Sequence, residues 1–327
     1  MKKAMMFLLA VILSVALFGH GQMAALSASQ YPTKPITLLV PMSAGGGSDV
    51  MARAIANAMQ KEQILPQPLV VENRPGGSGA IGYTYVAKRV SDPYIIATVS
   101  SSFWTTPLAG NSPVSYKDFT AISALAMDPF LLMVKWDAPY KTLDDMLEEA
   151  KGKPEGLMIS GASGFSDDRV CTSLLEKDAG VKFNYVPFEG GGDAMVALLG
   201  GHVQLCWANP GEALNQLEAK KARALAVSSD ERLALLPEIP TFKELGYESL
   251  VFFQFRGIVA PKDIPEDALS VLEAAFKKLS ESSTWQKEYI EPNMVTARYL
   301  PAKEFSDAIA KQNKLYLSIF EEAGLLK

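Results

Sequence analysis

Two cysteines in 327 residues, Cys171 and Cys206, are too few for a fold built on disulfides. Histidine is equally scarce: only His20 and His202 occur. With no Cys/His cluster at metal-ligand spacing, a resident metal is not expected. A Ser-His-Asp triad would have His202 alone to draw on beyond the N-terminal segment. The phosphate-loop pattern G-x-x-x-x-G-K-[ST] is absent. Gly161-Ala162-Ser163-Gly164-Phe165 lacks the last glycine of a nucleophile elbow. There is no basic excess: 31 Lys and Arg stand against 36 Asp and Glu, a net charge of −5. That balance argues against nucleic acid and anionic membrane as partners. Long apolar runs are missing too, apart from one at residues 4–18.

That run decides the compartment. Lys2 and Lys3 precede it, Ser14 is its only weak break, and Ala24-Ala25-Leu26-Ser27-Ala28 supplies small residues behind it. It falls short of the about 20 residues of a membrane span. The order is that of a secretory signal peptide over residues 1–28, cleaved after Ser27 or Ala28. No cysteine is available there for lipid attachment. A periplasmic protein of about 300 residues is expected, with net charge −7 once Lys2 and Lys3 are lost. Chains of that length usually divide into two domains.

The remaining chain repeats one unit: a short apolar strand, a Gly- or Ser-rich turn, and an amphipathic helix. Strands are expected at 36–41, 69–72, 94–99, 157–159, 183–186 and 203–207, with helices after the turns. Alternation of this kind gives an α/β fold with mostly parallel sheets. Two such groups, separated by a less regular stretch, suggest two lobes. Residues 29–127 with 225–327 would form the first, and 128–224 the second, the chain crossing near 127–132 and 222–228.

Open parallel sheets take ligands at the carboxyl ends of their strands. The turns at 43–49, 75–79, 100–102, 161–168, 189–193 and 209–211 all fall there. The first amides of a helix lack intrahelical partners and carry partial positive charge, so several such turns could hold one anion. Asp49, Asp167 and Asp193, in first helical turns, read as partners of the helix dipole rather than of a ligand. Asp49 and Arg53 are spaced to pair. Gly46 is the expected point of close backbone approach. Gly77-Ser78-Gly79-Ala80-Ile81-Gly82 fits G-x-G-x-x-G, but the next strand ends in Ser100-Ser101-Ser102 with no acid for a ribose, so no nucleotide cofactor is expected.

Several ordered motifs resemble one family. Tyr31-Pro32-x-x-Pro35, Ala44-Gly45-Gly46-Gly47-Ser48-Asp49 and Val71-Glu72-Asn73-Arg74-Pro75-Gly76-Gly77 are followed by Tyr185-Val186-Pro187-Phe188, Leu198-Leu199-Gly200-Gly201 and Leu236-Pro237-x-x-Pro240-Thr241. Together they are similar to the Bug-type substrate-binding proteins of tripartite tricarboxylate transporters. The resemblance implies a two-lobed type II periplasmic binding protein fold with a ligand cleft between the lobes. It implies no enzymatic activity and no cofactor. The ligand would be a mono- to tricarboxylate held by backbone amides and water, and the partners the integral membrane permease subunits of a transporter. The alternative is a carboxylate-binding co-receptor for a membrane sensor, without transport. A monomer is expected. The implied ligand-binding positions are Ala44, Gly45, Gly46, Gly47 and Ser48, Ser100 and Ser101, Ser163, Phe165 and Ser166, Gly190 and Gly191, and Asn209. Ala208 stands where relatives carry an acid that meets amino groups, which turns the expectation away from amino acids.

Overall fold

The structure is a computed structural model and describes residues 31–162, 164–188 and 190–326. The expected signal peptide and the candidate Ser163 lie outside the described residues. Among the described residues no helix is long and apolar enough to cross a membrane.

The first lobe is built on β1 (Ile36–Val40), which pairs in parallel with β2 (Leu69–Asn73) on one side and β3 (Ile95–Val99) on the other. β3 is buried throughout, as a central strand covered on both faces must be. Helix α1 (Gly47–Lys61) follows β1, α2 (Ala80–Ala87) follows β2 and α3 (Ser102–Leu108) follows β3. In α1, Met51, Ile55, Ala58 and Met59 recur at helical spacing, and their stripe joins Ile36, Leu38 and Val40 in one core. Two longer strands complete the sheet. β4 (Phe119–Pro129) and β10 (Phe253–Pro261) are antiparallel, and β11 (Thr296–Pro301) caps the edge, in the order β11-β4-β10-β3-β1-β2.

The second sheet has the order β7-β6-β8-β5-β9. Its strands are β5 (Leu131–Lys135), β6 (Met158–Gly161), β7 (Asn184–Pro187), β8 (Leu205–Ala208) and β9 (Ala222–Val227). Helix α4 (Leu143–Gly152) follows β5, α5 (Asp167–Ala179) follows β6, α6 (Gly191–Leu199) follows β7 and α7 (Pro210–Glu218) follows β8. Two long helices, α8 (Glu266–Ser280) and α9 (Ala302–Glu322), return to the first lobe. Helix α9 also reaches α5: Tyr316 donates to Asp167, and Lys177 pairs with Glu322 at 3.0 Å. Cys171 and Cys206 are both buried thiols.

Two expectations need correction. The sheets are mixed rather than mostly parallel, because the strands that carry the chain between lobes run antiparallel to their neighbours. β4 and β11 fall where no strand was expected. The sheet changes between Pro129 and Leu131 and again after Val227.

The two crossings are fastened to each other at one side chain. The fully buried Ser228 hydroxyl accepts from the Phe130 amide at 2.8 Å and donates to the Phe252 carbonyl at 2.5 Å. The Ser228 amide donates to the Phe130 carbonyl, and the Phe252 amide to the Ser228 carbonyl. The Phe130 and Phe252 rings lie with centroids 6.0 Å apart.

Candidate functional site

The carboxyl ends of the strands of both lobes meet at a cavity of about 100 Å3. The first lobe contributes Ser101, from the turn between β3 and α3, and Gln254 on β10. The second lobe contributes Ala162, Ser166, Asp167 and Asp168 at the start of α5, Gly191 at the start of α6, and Trp207, Ala208, Asn209 and Glu212 around the start of α7. Phe130, in the crossing, completes the lining. Among the described residues no Lys, Arg or His side chain lines it. A wider hollow of about 920 Å3 lies between residues 229–235 and 290–298 and is lined largely by apolar side chains such as Leu233, Leu235, Pro292 and Met294.

Each lining group is held by a local cause. Ser166 is the N-cap of α5: its hydroxyl accepts from the Arg169 amide at 3.3 Å and lies 3.2 Å from the Tyr185 hydroxyl. Asp168 turns back, and its Oδ2 accepts from the Ala162 amide at 2.5 Å. Asp167 Oδ1 accepts from the Tyr316 hydroxyl, whereas Oδ2 has no hydrogen-bond partner among the described residues. Asn209 donates to the Pro129 carbonyl at 2.9 Å, which ties the second-lobe rim to the crossing. Trp207 Nε1 donates to Thr172 Oγ1 at 2.9 Å and fixes the indole. At Gly161 the chain runs so close to the Asp168 and Tyr185 side chains that a Cβ would collide with both. Gly191 lies against Glu212, whose Oε2 a Cβ would approach to 2.8 Å.

The electrostatics of this corner are unusual. Burial pushes Asp167 up to about 6, against the pull of Tyr316, Arg256 and Ser101. Burial likewise pushes Asp168 up to about 7; the Ala162 amide opposes it, and Asp167 and Glu212 add to it. Near neutral pH the floor of the cavity therefore bears less negative charge than its composition suggests. Arg256 is fully desolvated beside the first lobe, which works against its charge, but the buried Asp128 carboxylate it grips raises its pKa above the ordinary guanidinium value. Its guanidinium is committed to that pair, with Nη2 where a Cβ on Gly47 would stand 3.1 Å away.

Of the positions expected from the sequence, Ser101, Ser166, Gly191 and Asn209 come together on the cavity wall. Gly190 precedes α6 as its N-cap, next to Gly191. Ser100 is buried with its hydroxyl 3.1 Å from that of Ser102. Phe165 does not line the cavity; it rests edge-on against Phe320 of α9 at 5.3 Å. Ala44, Gly45, Gly46, Gly47 and Ser48 do not line it either. Their loop is organised by Asp49, which accepts from the Gly45 amide at 2.8 Å, from Arg53 Nε at 2.9 Å and from Asn73 Nδ2 at 2.9 Å. The Arg53 hydrogen bond is the main cause that holds Asp49 down at about 2. The backbone that requires glycine is Gly45, at φ +83°, while Gly46 at φ −79° is ordinary extended chain. Sequence reasoning did not single out Phe130, Trp207, Glu212 or Gln254. The acid at Glu212, one turn into a helix whose start was expected at the site, is the signal that could have been followed; nothing local marks Gln254.

Comparison with known proteins agrees with this architecture. A family model described as "Tripartite tricarboxylate transporter family receptor" matches residues 51–325. The Bordetella pertussis protein BugT is 35% identical over 282 residues, covering 84% of this chain and 85% of that one. A TctC solute-binding protein from Polaromonas superposes with a TM-score of 0.75 at 31% identity, over 89% of this chain and 99% of that one. An R. palustris protein solved with adipate superposes with a TM-score of 0.79 at 25% identity, over 90% of this chain and 98% of that one.

Proposed function

We propose that this chain, which belongs to the family of tripartite tricarboxylate transporter receptors, is exported to the periplasm, closes its two lobes on a small carboxylate, and delivers it as a monomer to integral membrane permease subunits. The family consists of solute-binding receptors rather than enzymes. The observation that carries the proposal is the cavity at the lobe junction, where Ser101 and Gln254 of one lobe face the starts of α5, α6 and α7 of the other. Three helix N-termini, with serine and amide side chains, suit an anion without a guanidinium clamp. The raised carboxyls of Asp167 and Asp168 lower the repulsion such an anion would meet. The adipate-bound relative adds weight to a carboxylate.

The test is a thermal-shift screen of the purified protein against mono-, di- and tricarboxylates, sugars and divalent metals. A carboxylate at 100 times its Kd should stabilise the native state by about 2.7 kcal/mol and raise Tm accordingly. Stabilisation by sugars or metals alone would refute carboxylate capture.

A further inference from the structure

The walls of the cavity that belong to different lobes are joined by one run of hydrogen bonds, and a single side chain closes it. Asn209, on the second-lobe wall, donates to the Pro129 carbonyl at 2.9 Å. Phe130 is the one residue between β4 and β5, Ser228 follows the last residue of β9, and Phe252 precedes the first of β10. All three stand at the limit of a sheet. The Ser228 backbone bonds one neighbour on each side: its amide donates to the Phe130 carbonyl at 2.9 Å, and its carbonyl accepts from the Phe252 amide at 3.1 Å. The Phe130 amide and the Phe252 carbonyl both meet the Ser228 hydroxyl, at 2.8 Å and 2.5 Å. Ser228 is 0% exposed, and Phe130 and Phe252 are each 3% exposed. A buried amide without a partner costs free energy, so the hydroxyl is what lets the crossings lie side by side. Two residues beyond Phe252, Gln254 lines the first-lobe wall of the cavity.

We propose that Ser228 is a positioning residue for ligand capture: it locks the two crossings into one pivot, so that closure brings Asn209 and Gln254 to a ligand in a single relative geometry. Ser228 does not line the cavity; it acts through Phe130, which does, and through the strands it joins. Hinges are a few residues at element ends that absorb the change in backbone angle. Two crossings that bend independently leave the closed state poorly defined. A side chain that accepts from one and donates to the other makes them bend together. This role rests on the reading of carboxylate capture between the lobes and adds how their closure is controlled. Removing the hydroxyl leaves the ligand contacts in place but weakens the closed state. The loss then falls on dissociation rather than association, because encounter takes place with the open form.

Stopped-flow measurement of malate and adipate binding tests this, followed by tryptophan fluorescence, to which Trp207 on the cavity wall contributes. Ser228→Ala should raise the dissociation rate by about five-fold or more, the scale of conformational coupling. Its association rate should stay within about two-fold of native. The control is Thr241→Val, which removes another fully buried hydroxyl, one that accepts from the Glu244 amide at 3.0 Å beside β9. It should lower Tm and leave both rates native. A Ser228→Ala protein that, like the control, loses only stability would overturn the pivot, and so would a loss confined to association. Should Ser228→Ala fail to fold, amide exchange on the native, ligand-free protein decides. The Phe130 amide should exchange within about ten-fold of Ile96 and Ala97 in the middle of β3. Faster exchange would show that the bond to Ser228 opens in the folded protein and would overturn the pivot. If no carboxylate binds the native protein, the capture reading falls, and the pivot is judged separately by exchange.

Discussion

The two lobes each carry a Gly- and Ser-rich turn that ends in an aspartate within the first turn of a helix, and they put that aspartate to opposite uses. In the first lobe Asp49 accepts three hydrogen bonds, from Gly45, Arg53 and Asn73, and its pKa is drawn down to about 2. All three donors belong to this lobe, and they fix the loop from Ala44 to Ser48 around the Asp49 charge. In the second lobe Asp167 and Asp168 sit in the same sequence context but are buried, and burial raises them to about 6 and about 7. Asp167 Oδ2 is buried with no hydrogen-bond partner among the described residues. A carboxylate whose acceptors are filled by its own chain makes structure; one left partly unfilled in a cavity is available to something else.

The difference can be broken most directly at Gly161. Alanine there would drive its Cβ into Asp168 and Tyr185. Gly161→Ala should cost about 3 kcal/mol in urea unfolding, at the upper end of overpacking effects, and abolish ligand-induced stabilisation. A variant that binds normally would show that the placement of Asp168 does not matter to the site.

On the scaffolding side, Asp49→Ala removes the acceptor for the Gly45 amide and Asn73 together. A loss of about 2 kcal/mol is expected, as for a strong helix-start acceptor, with ligand affinity reduced far less than by Gly161→Ala. Comparable losses of affinity in the two variants would erase the distinction between the lobes.

Titration sharpens the contrast because the two sets of acids work in opposite directions. For Asp167 and Asp168 the folded pKa lies above the ordinary 3.8, so the folded state holds protons that the unfolded state gives up. Their effect makes stability fall as pH rises from about 4 to about 7. For Asp49 the folded pKa is lowered, so its contribution is present above about pH 4 and is lost as pH falls toward 2. Unfolding free energies measured from pH 3 to 8 should therefore peak near pH 5 and decline toward neutrality by at least about 1 kcal/mol. Asp168→Asn should flatten the decline, and an unaltered slope in that variant would assign the pH dependence elsewhere.

The smallest effect is expected at Arg53. Its side chain is 57% exposed, and Asp49 keeps its other two donors without it. Arg53→Gln should cost less than about 1 kcal/mol and leave the Kd for carboxylates unchanged. Loss of binding with native stability would instead place Arg53 in contact with ligand.

How much of this was legible in the sequence follows from how local each feature is. The parallel strands with their glycine-rich exits could be read because strand, turn and helix are contiguous. The pairing of Asp49 with Arg53 could be read for the same reason. β4, with the sequence Phe-Thr-Ala-Ile-Ser-Ala-Leu-Ala-Met-Asp-Pro, is rich in alanine and carries no β signature of its own; partners far along the chain make it a strand. The exposed edge strand β11 is equally dependent on β4. In the site, Ser166 and Asn209 announce themselves as helix-start residues. Gln254 does not, because only the return of β10 to the first sheet brings it opposite α5. The contact of Phe165 with Phe320 is not legible either, because α9 lies far along the chain.

The strand order of the first sheet has a consequence for how the chain must assemble. Among the described residues β4 is hydrogen-bonded only to β10 and β11, and both follow the whole second lobe in sequence. Until residue 253 is available, β4 has no partner at either edge, and β3 is paired with β1 alone. The second sheet draws all its strands from one continuous stretch, 131–227. During synthesis or after passage through a membrane, the second lobe can close locally, while the first waits with open strand edges for the longest-range contacts of the molecule. Such contacts are formed slowly, and such edges invite pairing with the wrong chain. The discontinuous lobe thus sets the pace of folding and is the part of the newborn chain that most needs a chaperone.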